Sequence, residues 1–224
     1  MQKIIIEKPG HYDVLKLIEF QTPALQSNQV LIKVHAAGLN YADGIIRMGL
    51  YESAKRLHGY PITPGFEVAG EVIEVHPDIS EYKIGDKIIG VTLFGGYTSH
   101  IVLDATRLFR MPENLSFEQA ASLPTVFLTA WFMAHRQVNP SAGDTWLVHS
   151  AAGGVGSALV QLGKLAGVRV IGVIGSAHKR DACLAMGVDA VIVKSDQDLW
   201  KETERLAPKG FDAIFDANGV STLG

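Results

Sequence analysis

The sequence predicts an α/β protein with a β-rich N-terminal domain, and three observations carry that prediction. A glycine-rich turn at 151–156 separates a short β-type run from a run with helical apolar spacing. Strand-type and helix-type segments then alternate through the rest of the chain, the pattern of a parallel sheet wound with helices. By contrast, the first 120 or so residues hold only short β-type runs punctuated by Gly, Pro, Asn and Asp.

In chain order, the segments 4–7, 30–36, 68–75, 87–92 and 98–103 read as strands of a small, mostly β domain spanning 1–122. Beyond Pro112 the pattern changes. Ser116 and Gln119 have the spacing of a capping box, and the apolar stretch 120–134 reads as a buried helix linking the two domains. That stretch contains Pro124 and is shorter than the ~20 residues needed to cross a bilayer, so no membrane-spanning segment is expected.

The second domain, 123–224, opens with a strand at 146–149. Ala151, Gly153 and Gly156 then occupy the three positions of a G-x-G-x-x-G turn, with alanine in the first. The middle glycine admits a pyrophosphate to the backbone, and the last lets helix and strand pack closely. The amides that begin the helix, around Gly154 and Val155, attract the anion. Val155, Leu159, Leu162 and Leu165 recur at helical spacing. A second strand at 168–174 completes the βαβ unit. Ser176 can cap a helix running to Met186 and closed by Gly187, and 190–193 reads as a third strand. A helix over 198–206 and a fourth strand over 211–216 follow. A doubly wound Rossmann sheet has strand order 3-2-1-4-5-6, so four strands imply an incomplete domain. Its fourth strand is then expected to carry an unpaired apolar edge. Such a chain would retain part of the adenosine-pyrophosphate site and lack what the missing strands build.

Composition excludes several classes. Among 224 residues, 47% are hydrophobic and 19% charged, an ordinary globular balance. A formal charge of -3 provides no basic field for nucleic acid. The single cysteine, Cys183, rules out an intrachain disulfide and falls inside a predicted helix as a small core residue. No signal peptide is visible, and a reducing, cytoplasmic compartment is expected. There is no Gly-x-Ser-x-Gly elbow and no Gly-Lys-Ser/Thr phosphate loop, which removes common hydrolase and nucleotidase patterns.

The runs Gly38-Leu-Asn-Tyr-Ala-Asp-Gly-Ile-Ile-Arg-Met-Gly-Leu-Tyr51 and Ile62-Thr-Pro-Gly-Phe-Glu-Val-Ala-Gly-Glu71 resemble the zinc-independent quinone oxidoreductases. With Gly85-Asp86-Lys87, Gly95-Gly-Tyr97 and the nucleotide turn, the resemblance to the medium-chain dehydrogenase/reductase superfamily covers essentially the whole chain. The runs 149–156 and 207–212 are particularly similar to the vesicle amine transport protein homologues. This resemblance implies a GroES-like β-barrel followed by a truncated doubly wound Rossmann domain, the N-terminal part of a longer reductase. The same resemblance implies little or no hydride transfer by the chain as it stands, with activity and homodimers in the full-length protein. It carries Asn40, Asp43, Arg47 and Tyr51 onto the family pattern Asn-x-x-Asp-x-x-x-Arg-x-Gly-x-Tyr, with Asn40 and Tyr51 facing nicotinamide and substrate. For Asp43 and Arg47 the simpler explanation is an ion pair between them, without a chemical role. Thr129 matches a threonine near the nicotinamide; its alternative is a helix hydroxyl bonded to a preceding carbonyl.

Zinc members of the superfamily have cysteine where this chain has Asn40 and histidine where it has Phe66, so no metal is expected. Without a Lewis acid, the favoured reaction is hydride delivery to an electrophilic acceptor, a quinone or an α,β-unsaturated carbonyl. Gly175 and Ser176 stand where NAD-preferring folds place an acid, and Lys179, Arg180 and Lys194 supply positive charge nearby, which points to NADPH. The competing reading is a protein that binds NADPH without turnover and acts in lipid handling, trafficking or scaffolding.

Overall fold

The computed structural model describes residues 1–217 and Gly219, and it divides into two compact units, Met1–Thr125 and Val126–Gly224. In the first, β1 (Gln2–Ile6) pairs antiparallel with β2 (Leu15–Glu19), a strand that the sequence reading passed over. β3 (Gln29–Ala37) leads to two short helices, α1 (Tyr41–Arg47) and α2 (Glu52–Leu57). β4 (Glu67–Val75), β5 (Lys87–Val91), β6 (His100–Asp104) and β7 (Leu108–Arg110) complete an antiparallel sheet of order β6-β3-β4-β5-β7.

Alternation along these strands sorts their side chains between two faces. Val30, Ile32, Val68, Val72 and Ile88 form one core with Leu103 and Leu108. Ala69 and Ile89 point the other way, onto Ala120 and Ala121 of α3 (Phe117–Ala121). The capping box forms as expected at that helix: Ser116 Oγ accepts the Gln119 N–H at 3.2 Å, and Gln119 Oε1 accepts the Ser116 N–H at 2.9 Å.

The single buried helix expected over 120–134 is not what forms. α3 stops at Ser122, and α4 (Pro124–Phe132) starts afresh, because proline disfavours helical geometry in the residue before it yet suits the first helical position. Phe127, Ala130, Met133 and Ala134 pack into the second core, while Leu128, Trp131 and Phe132 on the remaining arc stay about half exposed. An apolar sequence all round this helix therefore does not mean burial all round.

The second unit is a parallel sheet of order β10-β9-β8-β11. Its strands are β8 (Thr145–His149), β9 (Arg169–Ile174), β10 (Ala190–Val193) and β11 (Ala213–Phe215). α5 (Gly154–Leu165) and α6 (Arg180–Ala185) cover one face, burying Leu159, Val160 and Cys183 against Trp146, Val148 and Val170. α7 (Leu199–Leu206) covers the other face, over Leu147, Ile171 and Ile192. Asp198 caps α7 by accepting the Trp200 and Lys201 N–H groups. The helix expected from Ser176 to Met186 is split into a 3-10 turn over Ala177–Lys179 and α6, with Gly187 beyond at φ +91°. Among the described residues, β11 pairs only with β8, and Ile214 on it is 59% exposed.

Candidate functional site

The candidate residues fall into two groups, one in each unit. In the second unit, β8 ends at His149 and the chain reverses through Ser150, which takes up φ +52°, a left-handed conformation uncommon for a residue with a side chain. The Gly153 N–H donates to the Ser150 carbonyl at 2.7 Å, and the Ala151 N–H donates to the Val173 carbonyl at 3.0 Å, so the turn is tied to the tips of both strands. Ala151 is fully buried, and its methyl group fits because Gly172 opposite has no side chain: a Cβ there would stand 2.9 Å from it. Gly156 has the tightest setting. A Cβ on it would lie 2.2 Å from the Ser150 carbonyl oxygen, so helix and turn approach as closely as only glycine permits.

Gly153 and Gly154 are exposed at the head of α5, whose first amides lack intrahelical acceptors. Gly153, Gly154, Val155 and Gly156 line a cavity of about 200 Å³ with Met133 and Asp216. Ser150, Gly175, Lys194 and Ser195 line another, of about 370 Å³. Lys194 reaches this place because its N–H donates to the Ile174 carbonyl at 2.9 Å, continuing the β9–β10 ladder beyond the sheet. Burial holds the His149 imidazole below its ordinary pKa; Asp216 opposes that shift and the positive charge of Lys194 adds to it. The turn thus presents helix-start amides, the kind of group that attracts an anion, and the second cavity has a cation and no carboxylate among its lining residues.

The structure places Gly175 and Lys194 together on that wall. Ser176, Lys179 and Arg180 lie outside the cavity lining: the Ser176 hydroxyl is 3.2 Å from His178 Nδ1, while Lys179 and Arg180 are exposed where the 3-10 turn meets α6. Thr129 is exposed on α4.

In the first unit, Asn40 precedes α1. Its N–H donates to Asp43 Oδ2 at 2.8 Å and its Nδ2 donates to Glu67 Oε1 at 2.7 Å. Asp43 also accepts the Tyr97 hydroxyl at 2.9 Å and the Gly65 N–H at 3.1 Å. Burial raises the carboxyl pKa of Asp43 despite these three donors, and burial beside Asp43 pushes the Tyr97 phenol well above its ordinary value. Asp43 and Arg47 do not form the ion pair considered above. The Arg47 guanidinium lies 4.3 Å from the centre of the Tyr12 ring and donates to the Gly10 carbonyl, while the Asp43 carboxylate is taken up by Asn40, Gly65 and Tyr97. Tyr51 is half-buried, with its ring edge-on to Phe66 at 6.2 Å.

Glu67 was missed by the reading of the sequence. It is 1% exposed and accepts the Asn40 amide on one oxygen and the Thr125 N–H on the other, each at 2.7 Å. The available signal was a carboxylate standing alone in the apolar run Gly65 to Gly70, which must find partners if buried.

A glycine turn feeding a helix within a parallel sheet of order 3-2-1-4 defines a dinucleotide-binding α/β protein, here preceded by a β-rich unit. The family described as "Alcohol dehydrogenase GroES-like domain" matches residues 26–113, and "Zinc-binding dehydrogenase" matches 154–223. The chain belongs to the medium-chain dehydrogenase/reductase superfamily. It is 36% identical over 219 residues to the synaptic vesicle membrane protein VAT-1 homolog of Danio rerio, covering 97% of this chain and 45% of that protein. Three solved structures are similar. The Pseudomonas syringae pv. tomato quinone oxidoreductase is 32% identical, with TM-score 0.88, over 99% of this chain and 68% of that one. The CurK enoyl reductase is 30% identical, with TM-score 0.89, over 96% and 66%. The Escherichia coli quinone oxidoreductase complexed with NADPH is 30% identical, with TM-score 0.83, over 93% and 63%. The chain therefore spans about half the length of the VAT-1 homolog and about two thirds of these reductases.

One matching family is named for zinc, and the residues present do not suit that ion. Asn40 has committed its amide to Glu67, both Glu67 oxygens are occupied, and the Phe66 ring sits between Tyr51 and Phe94. Among the described residues, no three His, Cys, Asp or Glu side chains gather as a ligand set. Also among the described residues, no helix is long and apolar enough to cross a membrane.

Proposed function

We propose that this chain belongs to an NADPH-dependent, zinc-independent oxidoreductase that transfers hydride to a quinone or an α,β-unsaturated carbonyl. The observation that carries the reading is the glycine turn at the head of α5, with Lys194 and no carboxylate on the neighbouring cavity wall. Solved relatives named quinone oxidoreductase and enoyl reductase, one of them complexed with NADPH, support it. Bound NADPH supplies the hydride. In this reading Ala151, Gly153, Gly154, Val155 and Gly156 form the pyrophosphate turn, and Lys194 with Ser195 meets the 2′-phosphate. Asn40 orients the acceptor carbonyl, and the Tyr51 hydroxyl donates to the oxygen as negative charge develops on it. Thr129 is assigned beside the nicotinamide on the family pattern alone. The same proposal makes the full-length protein a cytoplasmic homodimer.

Titration calorimetry with NADPH and NADH, followed by NADPH oxidation assays with ortho-quinones and alkenals, tests the reading. Binding without turnover of either acceptor class by the full-length protein would favour the role in lipid handling, trafficking or scaffolding that similarity to the VAT-1 homolog suggests.

Two expected outcomes accompany it. Lys194→Ala lowers NADPH affinity about tenfold and leaves NADH affinity unchanged, the loss of one charge-assisted bond. Lys179→Ala, outside the cavity lining, has the smaller effect; equal affinity of wild type for the two cofactors would refute the assignment. Elemental analysis of purified protein finds no stoichiometric zinc, and zinc that survives a chelator would overturn zinc independence.

A further inference from the structure

We propose that Glu67 is a positioning residue for Asn40, holding its amide in one orientation and tying it to Thr125, the last residue of the first unit. The proposal rests on the reading of Asn40 as the residue that meets the acceptor carbonyl.

A buried carboxylate is costly unless its lone pairs are used, and Glu67 uses both oxygens at 2.7 Å, on Asn40 Nδ2 and the Thr125 N–H. A carboxylate only accepts, so Nδ2 and not Oδ1 must face it. The Asn40 backbone is set separately, through its N–H to Asp43 Oδ2. Main chain and side chain of Asn40 are thus fixed by two different carboxylates. Gly38 leaves the space: a Cβ there would stand 2.3 Å from Glu67 Oε1 and 2.4 Å from the Ala121 carbonyl. The Gly38 N–H also donates to the Glu67 carbonyl at 3.1 Å, holding the loop that enters Asn40 against the strand that carries Glu67. One carboxylate therefore joins the candidate catalytic loop to the point where the first unit ends.

The test is a four-protein cycle of wild type, Asn40→Asp, Glu67→Gln and the double variant, read by thermal unfolding and by NMR of the Asn40 side-chain amide. Asn40→Asp sets a second carboxylate against the buried one of Glu67. Glu67→Gln introduces an amide that can accept from Asn40 or from the Thr125 N–H but not present an acceptor to both. In the double variant the introduced glutamine donates to the introduced aspartate and still accepts from Thr125, so both contacts return and only the one between positions 40 and 67 has its polarity exchanged. Each single change is expected to lower Tm by roughly 3 to 10 °C, and the double variant to recover most of that loss. In Glu67→Gln the Asn40 amide protons should exchange at least about tenfold faster than in wild type.

Additive losses in the double variant, or an Asn40 amide signal indifferent to Glu67→Gln, would show that Glu67 serves Thr125 alone and overturn the proposal. Should Asn40→Asp fail to fold, folding of the double variant is itself the expected rescue, and its failure counts against the pairing. These readouts need neither NADPH nor turnover. An inactive full-length protein would therefore refute the proposed reaction and leave the pairing to be judged separately.

Discussion

Gly156→Ala is expected to abolish NADPH binding and to destabilise the second unit. The added methyl group would stand 2.2 Å from the Ser150 carbonyl oxygen, 2.8 Å from its carbon and 2.9 Å from Ala151 Cα, all backbone atoms that have no rotamer to change. The turn must open to admit it, yet the turn is tied on both sides through the Ala151–Val173 and Gly153–Ser150 hydrogen bonds. Overpacking of this kind costs roughly 1 to 3 kcal/mol in stability. The amides at the head of α5 are displaced at the same time, and in the proposed function their geometry holds the pyrophosphate, so affinity should fall by more than a hundredfold. Calorimetry and urea unfolding measure the two effects separately. Gly153→Ala provides the comparison: a Cβ there meets the same carbonyl oxygen at 3.1 Å, so a milder loss is expected. Equal, small effects at both positions would mean that the close approach of helix and turn has no energetic consequence.

Asp43→Ala is expected to be the most destabilising single change in the candidate catalytic loop. It strands three donors at once, the N–H groups of Asn40 and Gly65 and the hydroxyl of Tyr97. Unsatisfied buried groups cost about 1 to 3 kcal/mol each, so a total of about 3 kcal/mol or more is expected. The loss should appear as a lower urea midpoint. Reduced turnover should accompany it, since Asn40 loses its anchor. The pH dependence has a definite sign. Burial raises the Asp43 pKa in the folded state. Between the free value and the raised one, the folded chain keeps a proton that the unfolded chain has released, so the contribution of Asp43 to stability declines as pH rises through that window. Asp43→Asn should flatten that slope, and urea titrations across acidic pH would reveal it. A variant with an unchanged slope would show that Asp43 does not titrate differently in the two states.

Much of this protein was determined locally and was therefore visible in the chain. Apolar periodicity and turn chemistry located the sheet strands except β2 and β7, and spacing alone identified the capping box of α3 and the glycine turn before α5. These features depend on neighbours a few residues apart. Helix continuity was less legible: the apolar stretch 120–134 hid a break at Pro124, where a local steric rule overrides hydrophobic pattern.

Only the tertiary structure decided which polar side chains meet. Asp43 and Arg47 look like an i, i+4 ion pair in the chain, yet Asp43 faces Tyr97, 54 positions away, while Arg47 stacks on Tyr12. Lys194 reaches the end of β9 through the parallel register of β10, whereas Lys179 and Arg180, nearer the turn in sequence, stay outside the cavity. Glu67 joins Asn40 across 27 positions and Thr125 across 58. The physical reason is common to all of them. Backbone propensity and apolar patterning act over one or two turns of chain, but a buried charge must be satisfied by whatever donor the assembled fold brings within hydrogen-bond reach, and sequence distance has no bearing on that.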